Sequence, residues 1–297
     1  MAQQGNFRSG QIAIVGRPNV GKSTLLNQLI GQKISITARK PQTTRHSIRG
    51  VASGPGRQMI FVDTPGFQSS VVNALGSTMN RTVTQMLAEA DVTILVLVAG
   101  RPAAEDESII RKLPPGKPLI VVLNKVDRVR DRSLLLPQIE RLSARLDARA
   151  FVPVSAQSGY QLDLLVQEIE KALPHGEPIF PEDQLTDRDE RFFAAEFIRE
   201  KLFRALGDEL PYTTTVVIDR FEELKQLRRI HATILVDKPS HKAIVIGDGG
   251  TRLKAIASSA RRELEVLFSS KVYLQIWVKV RRGWSDNQTE LKRLGYA

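Results

Sequence analysis

Gly16, Arg17, Pro18, Asn19, Val20, Gly21, Lys22 and Ser23 read G-R-P-N-V-G-K-S and fit the pattern G-x-x-x-x-G-K-[ST]. Glycines at both ends free the backbone to turn consecutive N–H groups toward one point, an arrangement suited to phosphate oxygens. Lys22 adds a cation for β- and γ-phosphates, Ser23 offers a hydroxyl to Mg²⁺, and Thr24 completes the candidate loop. A second group, Asp63, Thr64, Pro65 and Gly66 (D-T-P-G), supplies a carboxylate that can hold Mg²⁺ through water. Its glycine can swing an N–H to a γ-phosphate. A third group, Asn124, Lys125, Val126 and Asp127 (N-K-V-D), selects the base. The Asp127 carboxylate can accept hydrogen bonds from both N1–H and the 2-amino group of guanine; adenine lacks both donors and would leave the charge unpaired. Asn124 suits a tether between loops and the Lys125 stem a cover for the base. Ser155 and Ala156 lie in V-P-V-S-A, where the Ala156 N–H can meet guanine O6. Four such groups in this order specify a site for GTP and GDP, with Ser23 and Asp63 among the Mg²⁺ ligands.

Chemistry of this kind requires each group to stand at the end of a strand. The apolar run Ile12, Ala13, Ile14, Val15 precedes the first loop. An amphipathic helix carrying Leu25, Leu26, Leu29 and Ile30 follows it, with its positive dipole end toward the same anions. Residues 58–62 form a strand ending at Asp63. Residues 119–123 are apolar throughout, as in a parallel strand buried on both faces. A last strand is expected just before Ser155.

On these motifs, residues 11–173 resemble translation-factor-type GTPases of the TrmE–Era–Der group. The resemblance implies an α/β P-loop GTPase fold, Ras-like, with a mostly parallel six-stranded sheet. It also implies a first switch at residues 41–46 (P-Q-T-T-R-H), in which a threonine ligates Mg²⁺ only when the γ-phosphate is present. Thr44, beside Arg45, is expected in that role ahead of Thr43. Lys22, Asn19 and Thr44 are the candidate catalytic residues. In relatives an asparagine at the place of Asn19 ligates K⁺, which offsets transition-state charge; a simple loop cap is the other reading, and both stay open. Where Ras-type enzymes carry a water-orienting Gln after the switch glycine, this chain has Phe67. Hydrolysis must then rely on other groups or be slow, and an apolar residue here is also what the group shows.

A boundary follows. Residues 173–187 break helical periodicity with Pro174, Pro178 and Pro181, which reads as a linker. The expected division is a GTP-binding domain over 1–173, a linker over 174–189 and a second domain over 190–297. The second domain reads as a helix (191–206), strands at 213–219 and 230–236, two helices joined by Gly247, Asp248, Gly249 and Gly250, and a last strand at 271–280. In the second strand Ile230, Ala232, Ile234 and Val236 alternate onto one face. This order resembles an α+β type II KH domain, which implies a groove for single-stranded RNA. The glycines would let backbone approach phosphates. Ile244, Val245, Ile246 and Leu253 would floor the groove, and Lys242, Arg252 and Lys254 would supply cations. Asp248 departs from the pattern, since such turns more often carry Lys or Arg; its charge should weaken phosphate contact and shift affinity to the bases. Trp277 is expected in the core of the last strand rather than in base stacking. Trp284 and residues 290–294 are expected to form a terminal helix.

One GTPase domain followed by one KH domain resembles the ribosome-assembly members of the group. That implies as partners the 3′ end of small-subunit ribosomal RNA and a 30S-type subunit. It implies a cytoplasmic monomer with peripheral association at the anionic inner-membrane surface. The expected working is a nucleotide-gated RNA clamp, in which GTP and Mg²⁺ order residues 32–49 and 67–79 and favour an open groove. The alternative is a membrane-associated signalling GTPase whose basic C-terminal domain binds anionic lipid.

Composition fits these readings. The 297 residues suggest two domains, and the absence of cysteine excludes disulfides and cysteine metal sites. No apolar run reaches the ~20 residues needed to span a bilayer as a helix, and the first ten residues lack the apolar core of a signal peptide. The formal charge of +11 points to an acidic partner. From Lys238 onward, twelve Lys and Arg stand against five acids.

Overall fold

The computed structural model describes residues 7–38, 40, 43–67, 73–207 and 210–296. It divides into two compact units. The first comprises residues up to Ser35, Thr44–Val72 and Gly76–Asp187; the second comprises Ile36–Thr43, Asn73–Leu75 and Arg188–Ala297.

In the first unit the elements run β1 (Arg8–Val15), α1 (Lys22–Ile30), β2 (Ile48–Gly54), β3 (Arg57–Asp63), α2 (Ala74–Glu89), β4 (Val92–Val98), α3 (Ala104–Ile110), β5 (Leu119–Asn124), α4 (Leu135–Ser143), β6 (Ala150–Pro153) and α5 (Leu162–Ala172). The strands form one sheet in the order β2-β3-β1-β4-β5-β6. Only the β2–β3 pair is antiparallel. β4 and β5 are buried at every position, which is why their sequences are continuous apolar runs rather than alternations. The order reverses beside β1, and in open α/β sheets such a reversal leaves a crevice at the carboxyl ends of the strands.

The segment 174–187 is bound to this unit by hydrogen bonds. The Gly176 N–H donates to Phe7 O (3.0 Å) and the Val51 N–H to Leu185 O (2.9 Å). The buried Gln58 side chain accepts from the N–H groups of Ile179 (2.7 Å) and Phe180 (2.9 Å) and donates to Phe180 O (2.8 Å).

The second unit holds α6 (Glu190–Ala205), β7 (Thr214–Leu224), β8 (Leu227–Val236), α7 (Pro239–Ile246), α8 (Thr251–Leu267), β9 (Lys271–Val280) and α9 (Gln288–Arg293). Asp189 caps α6 by accepting from the Phe192 N–H (2.8 Å). The sheet order is β7-β8-β9, antiparallel then parallel. Ile230, Ala232, Ile234 and Val236 are fully buried, as their alternation predicts. Trp284 precedes α9 rather than lying in it; it is fully buried and donates its indole N–H to Thr213 O (3.1 Å). Among the described residues, no helix is long and apolar enough to cross a membrane.

Candidate functional site

All four motif groups stand where parallel strands of the first unit end. The phosphate loop follows β1, Asp63 closes β3, Asn124 closes β5, and Ser155 lies two residues past β6. The loop is held by internal bonds. Asn124 Nδ2 donates to Val20 O (2.8 Å), while Asn124 Oδ1 accepts from the N–H groups of Lys125 (2.8 Å) and Ala156 (2.9 Å). One side chain thus ties three loops together. Lys125, itself at φ 69°, donates from Nζ to Asn19 O and lays its stem across the loop. Gly21 has φ 104°, and a Cβ there would lie 2.3 Å from Asn124 Nδ2. No other residue type leaves this tether in place. Gly66 passes close to Pro18, and Thr64 donates to Ile14 O (2.8 Å), fixing the D-T-P-G turn against β1. Arg17 pairs with Asp106 at 3.1 Å.

Lys22 is buried, with Nζ donating to the loop carbonyls of Gly16 (3.0 Å) and Arg17 (3.1 Å). Burial pulls its ammonium down to about 8, Asp63 opposing the shift and Arg17 adding to it. A polyanion beside it would raise that value again by favouring the charged form.

Next to Lys22 the hydroxyl and carboxylate oxygens converge. Ser23 Oγ lies 2.8 Å from both Thr44 Oγ1 and Asp63 Oδ2, and Thr44 Oγ1 lies 3.4 Å from the same carboxylate. The neighbouring Thr43 hydroxyl instead donates to Lys40 O (2.6 Å). Asp63 is fully buried, and its Oδ1 has no hydrogen-bond partner among the described residues. Burial raises its pKa above the ordinary carboxylate value, opposed by Lys22 and by the hydroxyls of Ser23, Ser35 and Thr44. An orphaned carboxylate oxygen beside two hydroxyls is a hard, partly filled donor set. It suits Mg²⁺, which takes few protein ligands and completes its octahedron with water and phosphate.

Two residues at this corner escaped the sequence motifs. Ser35 donates to Asp63 Oδ2 (2.8 Å). Asn27 holds Ser35 in place, accepting from the N–H groups of Ile34 (3.0 Å) and Ser35 (2.8 Å) and donating to Ser35 O (2.7 Å). A lone Asn on a helix and a lone Ser in a loop carry no spacing signal.

At the base end, Ser155 donates to Asp127 Oδ1 (2.6 Å) and so aims the carboxylate. The Ala156 N–H, expected to face guanine O6, is engaged by Asn124 in this structure. Phe67 is buried in the apolar cluster that includes Val15, Val83 and Leu95. It has a packing role as well as lacking a hydrogen-bonding group.

In the second unit, α7 and α8 meet at the turn of Gly247, Asp248, Gly249 and Gly250. Among the described residues, Gly249 (φ 53°) and Gly250 (φ 78°) have no atom within 4 Å of a Cβ placed on either. Lys242, Ile244, Asp248, Arg252 and Lys254 are exposed around the turn, while Ile246 and Leu253 are half-buried. Arg252 also donates to Ile244 O, tying α8 to α7. Val245 is fully buried. It faces the core one position round the helix from Ile244, so it does not floor a groove. Trp277 also departs from expectation: it is 39% exposed on β9, on the strand face shared with Lys271, Tyr273, Gln275 and Lys279.

A phosphate loop, a base-selecting N-K-V-D loop and a Ras-like sheet, followed by a G-x-x-G unit, define a P-loop GTPase joined to a KH domain. Residues 11–125 match the family model of the 50S ribosome-binding GTPases, and residues 209–285 match that of the KH domain. The chain is 51% identical to the GTPase Era of Nitrosomonas eutropha over 98% of both chains. It is 48% identical to that of Pseudomonas aeruginosa over 97% of this chain and 95% of the relative. The chain belongs to the Era family of GTPases. Among solved structures it is similar to a variant of Aquifex aeolicus Era bound to GDP·AlF4⁻ (TM-score 0.93, 40% identity, 98% of this chain and 100% of that one). It is equally similar to an Era in complex with MgGDPNP and nucleotides 1506–1542 of 16S ribosomal RNA (TM-score 0.93, 41% identity, 98% of this chain and 99% of that one).

Proposed function

We propose that this GTPase uses its nucleotide cycle to control its hold on the 3′ end of small-subunit ribosomal RNA during assembly of that subunit. The observation that carries the reading is the G-x-x-G turn. It is open to an approaching backbone and ringed by exposed cations, in a chain that also holds a complete set of guanine-nucleotide motifs. The related Era bound to nucleotides 1506–1542 of 16S ribosomal RNA supports the choice of RNA.

At the nucleotide, N–H groups of residues 16–23 and Lys22 would hold the phosphates, and Asp127, aimed by Ser155, would select guanine. Ser23, Thr44 and Asp63 would hold Mg²⁺, which would offset the negative charge of the phosphates. Asn19 is exposed on the loop, and the K⁺ role belongs to this proposal; faster hydrolysis in K⁺ than in Na⁺, lost in Asn19→Ala, tests it.

The route from nucleotide to RNA is the chain between Ser35 and Thr44. Residues Ile36–Thr43 cluster with the KH-bearing unit. There the Thr37 N–H donates to Glu200 Oε1 (3.0 Å) and Arg204 donates to Thr37 O (3.0 Å). Loss of the γ-phosphate would release Thr44 and loosen this segment.

Crosslinking the protein in cells and sequencing the RNA it holds tests the reading. A dominant signal from the 3′ end of small-subunit ribosomal RNA is expected. Recovery with anionic membrane and no such RNA would overturn it, and would favour lipid as the target of the basic unit.

A further inference from the structure

The three-stranded sheet of the KH-bearing unit has one face toward its helices. Ile230, Ala232, Ile234, Val272 and Val278 are buried there. The other face carries a row of rings along β9 and β8. Tyr273 and Trp277 are 49% and 39% exposed. Between them the His231 ring lies 6.1 Å from Tyr273 and 5.5 Å from Trp277. Two large aromatic side chains this exposed are costly to leave in water unless something covers them.

The charges around the row indicate what that is. On the β7 side the acids are already engaged: Glu222 pairs with Arg220 and with Arg229 (3.4 Å), and Asp219 accepts from Thr233 (2.6 Å). On the β9 side Lys271 and Lys279 flank Tyr273 and Trp277 on the same strand face, both exposed. β9 is an edge strand of the sheet. The combination of π-faces in a row with cations beside them is that of a platform for unpaired bases, on which stacking tolerates any sequence.

We propose that this face is a second single-stranded RNA site. Bases of the strand that runs out of the G-x-x-G groove stack on Tyr273 and Trp277, and Lys271 and Lys279 meet its phosphates. The proposal rests on the RNA-binding reading above and adds a platform distinct from the groove. It also explains why tryptophan, the largest apolar side chain, stands among Lys, Tyr and Gln on an open face.

The test uses the full-length protein and labelled single strands from the 3′ end of small-subunit ribosomal RNA. One strand has four nucleotides, the number a KH groove clamps, and the other about twelve. The chain has two tryptophans, and Trp284 is fully buried, so emission that acrylamide can quench reports Trp277. The longer strand should shield Trp277 from acrylamide. Trp277→Ala should weaken that strand by roughly five- to a hundredfold, Trp277→Phe should restore most of the loss, and the four-nucleotide strand should bind parent and Trp277→Ala alike. If the longer strand binds but neither shields Trp277 nor weakens in Trp277→Ala, the platform is wrong and the groove reading stands. If neither strand binds the parent protein, the RNA reading itself fails. Shielding by intact small subunits but not by RNA would assign the face to a protein partner and overturn the proposal.

Discussion

The phosphate loop and the G-x-x-G turn both depend on glycine, for opposite reasons. At Gly21 a side chain would collide with Asn124, 2.3 Å away, so the glycine is demanded by the protein's own packing. At Gly249 and Gly250 a Cβ would meet nothing within 4 Å among the described residues, and within the chain only the positive φ disfavours it. One site is preorganised by bonds the chain makes to itself: Asn124 to three loops, Lys125 to Asn19, Ser155 to Asp127. The other is held by no such contact at Gly249 and Gly250 among the described residues, which fits the proposed RNA site. The first arrangement suits a small ligand whose charge must be met on arrival. The second suits a polymer that brings its own backbone.

The largest break in this comparison is Gly21→Ala. Strain at φ 104° costs about 1–3 kcal/mol, and displacing the buried Asn124 tether costs about 1–3 kcal/mol more. Nucleotide affinity should fall roughly thirtyfold or more, which calorimetric titration with GDP would show. An affinity within a factor of three of the parent would mean that the loop is not held as described.

Asp127→Asn should cost about 1.5–3 kcal/mol of GTP binding, the loss of a charged hydrogen bond. It should also admit xanthosine triphosphate, whose 2-oxo group needs a donor. Competition between the two triphosphates measures the switch, and unchanged preference for GTP would move the base site elsewhere. The smallest effect belongs to Phe67→Leu. An apolar side chain in the core supplies no chemistry, so turnover should stay within about tenfold, around 1.4 kcal/mol in barrier. Loss of turnover with the fold intact would give Phe67 a direct role.

The same contrast explains what the sequence made readable. Phosphate and guanine are small and fixed in geometry, so the residues that meet them recur in fixed spacing, and the strands that carry them had to end where they do. The supporting contacts had no such constraint. Asn27 and Ser35 work at Asp63 through a loop whose path no motif specifies. Gln58 binds the proline-containing segment through one buried amide, where the sequence suggested only a linker. Ile244, Val245 and Ile246 are three consecutive apolar residues, a run that does not show which one faces inward; in the structure it is Val245. The exposure of Trp277 is legible in its own strand. Its neighbours at two-residue spacing are Lys279 and Gln275, a polar face, and alternation outweighs the hydrophobicity of a single side chain.

The central claim is that this family member binds single-stranded ribosomal RNA through a turn kept open for it, separately from the nucleotide loop. The direct measurement is anisotropy of a labelled strand from the 3′ end of small-subunit ribosomal RNA, titrated at several salt concentrations, with GTP hydrolysis followed in parallel without RNA. With Gly249→Asp and Gly250→Asp combined, RNA affinity should fall at least tenfold while basal hydrolysis persists. Asp248→Lys should tighten binding and steepen the salt dependence by about one phosphate contact. A folded double variant that binds the strand as tightly as the parent would contradict the account.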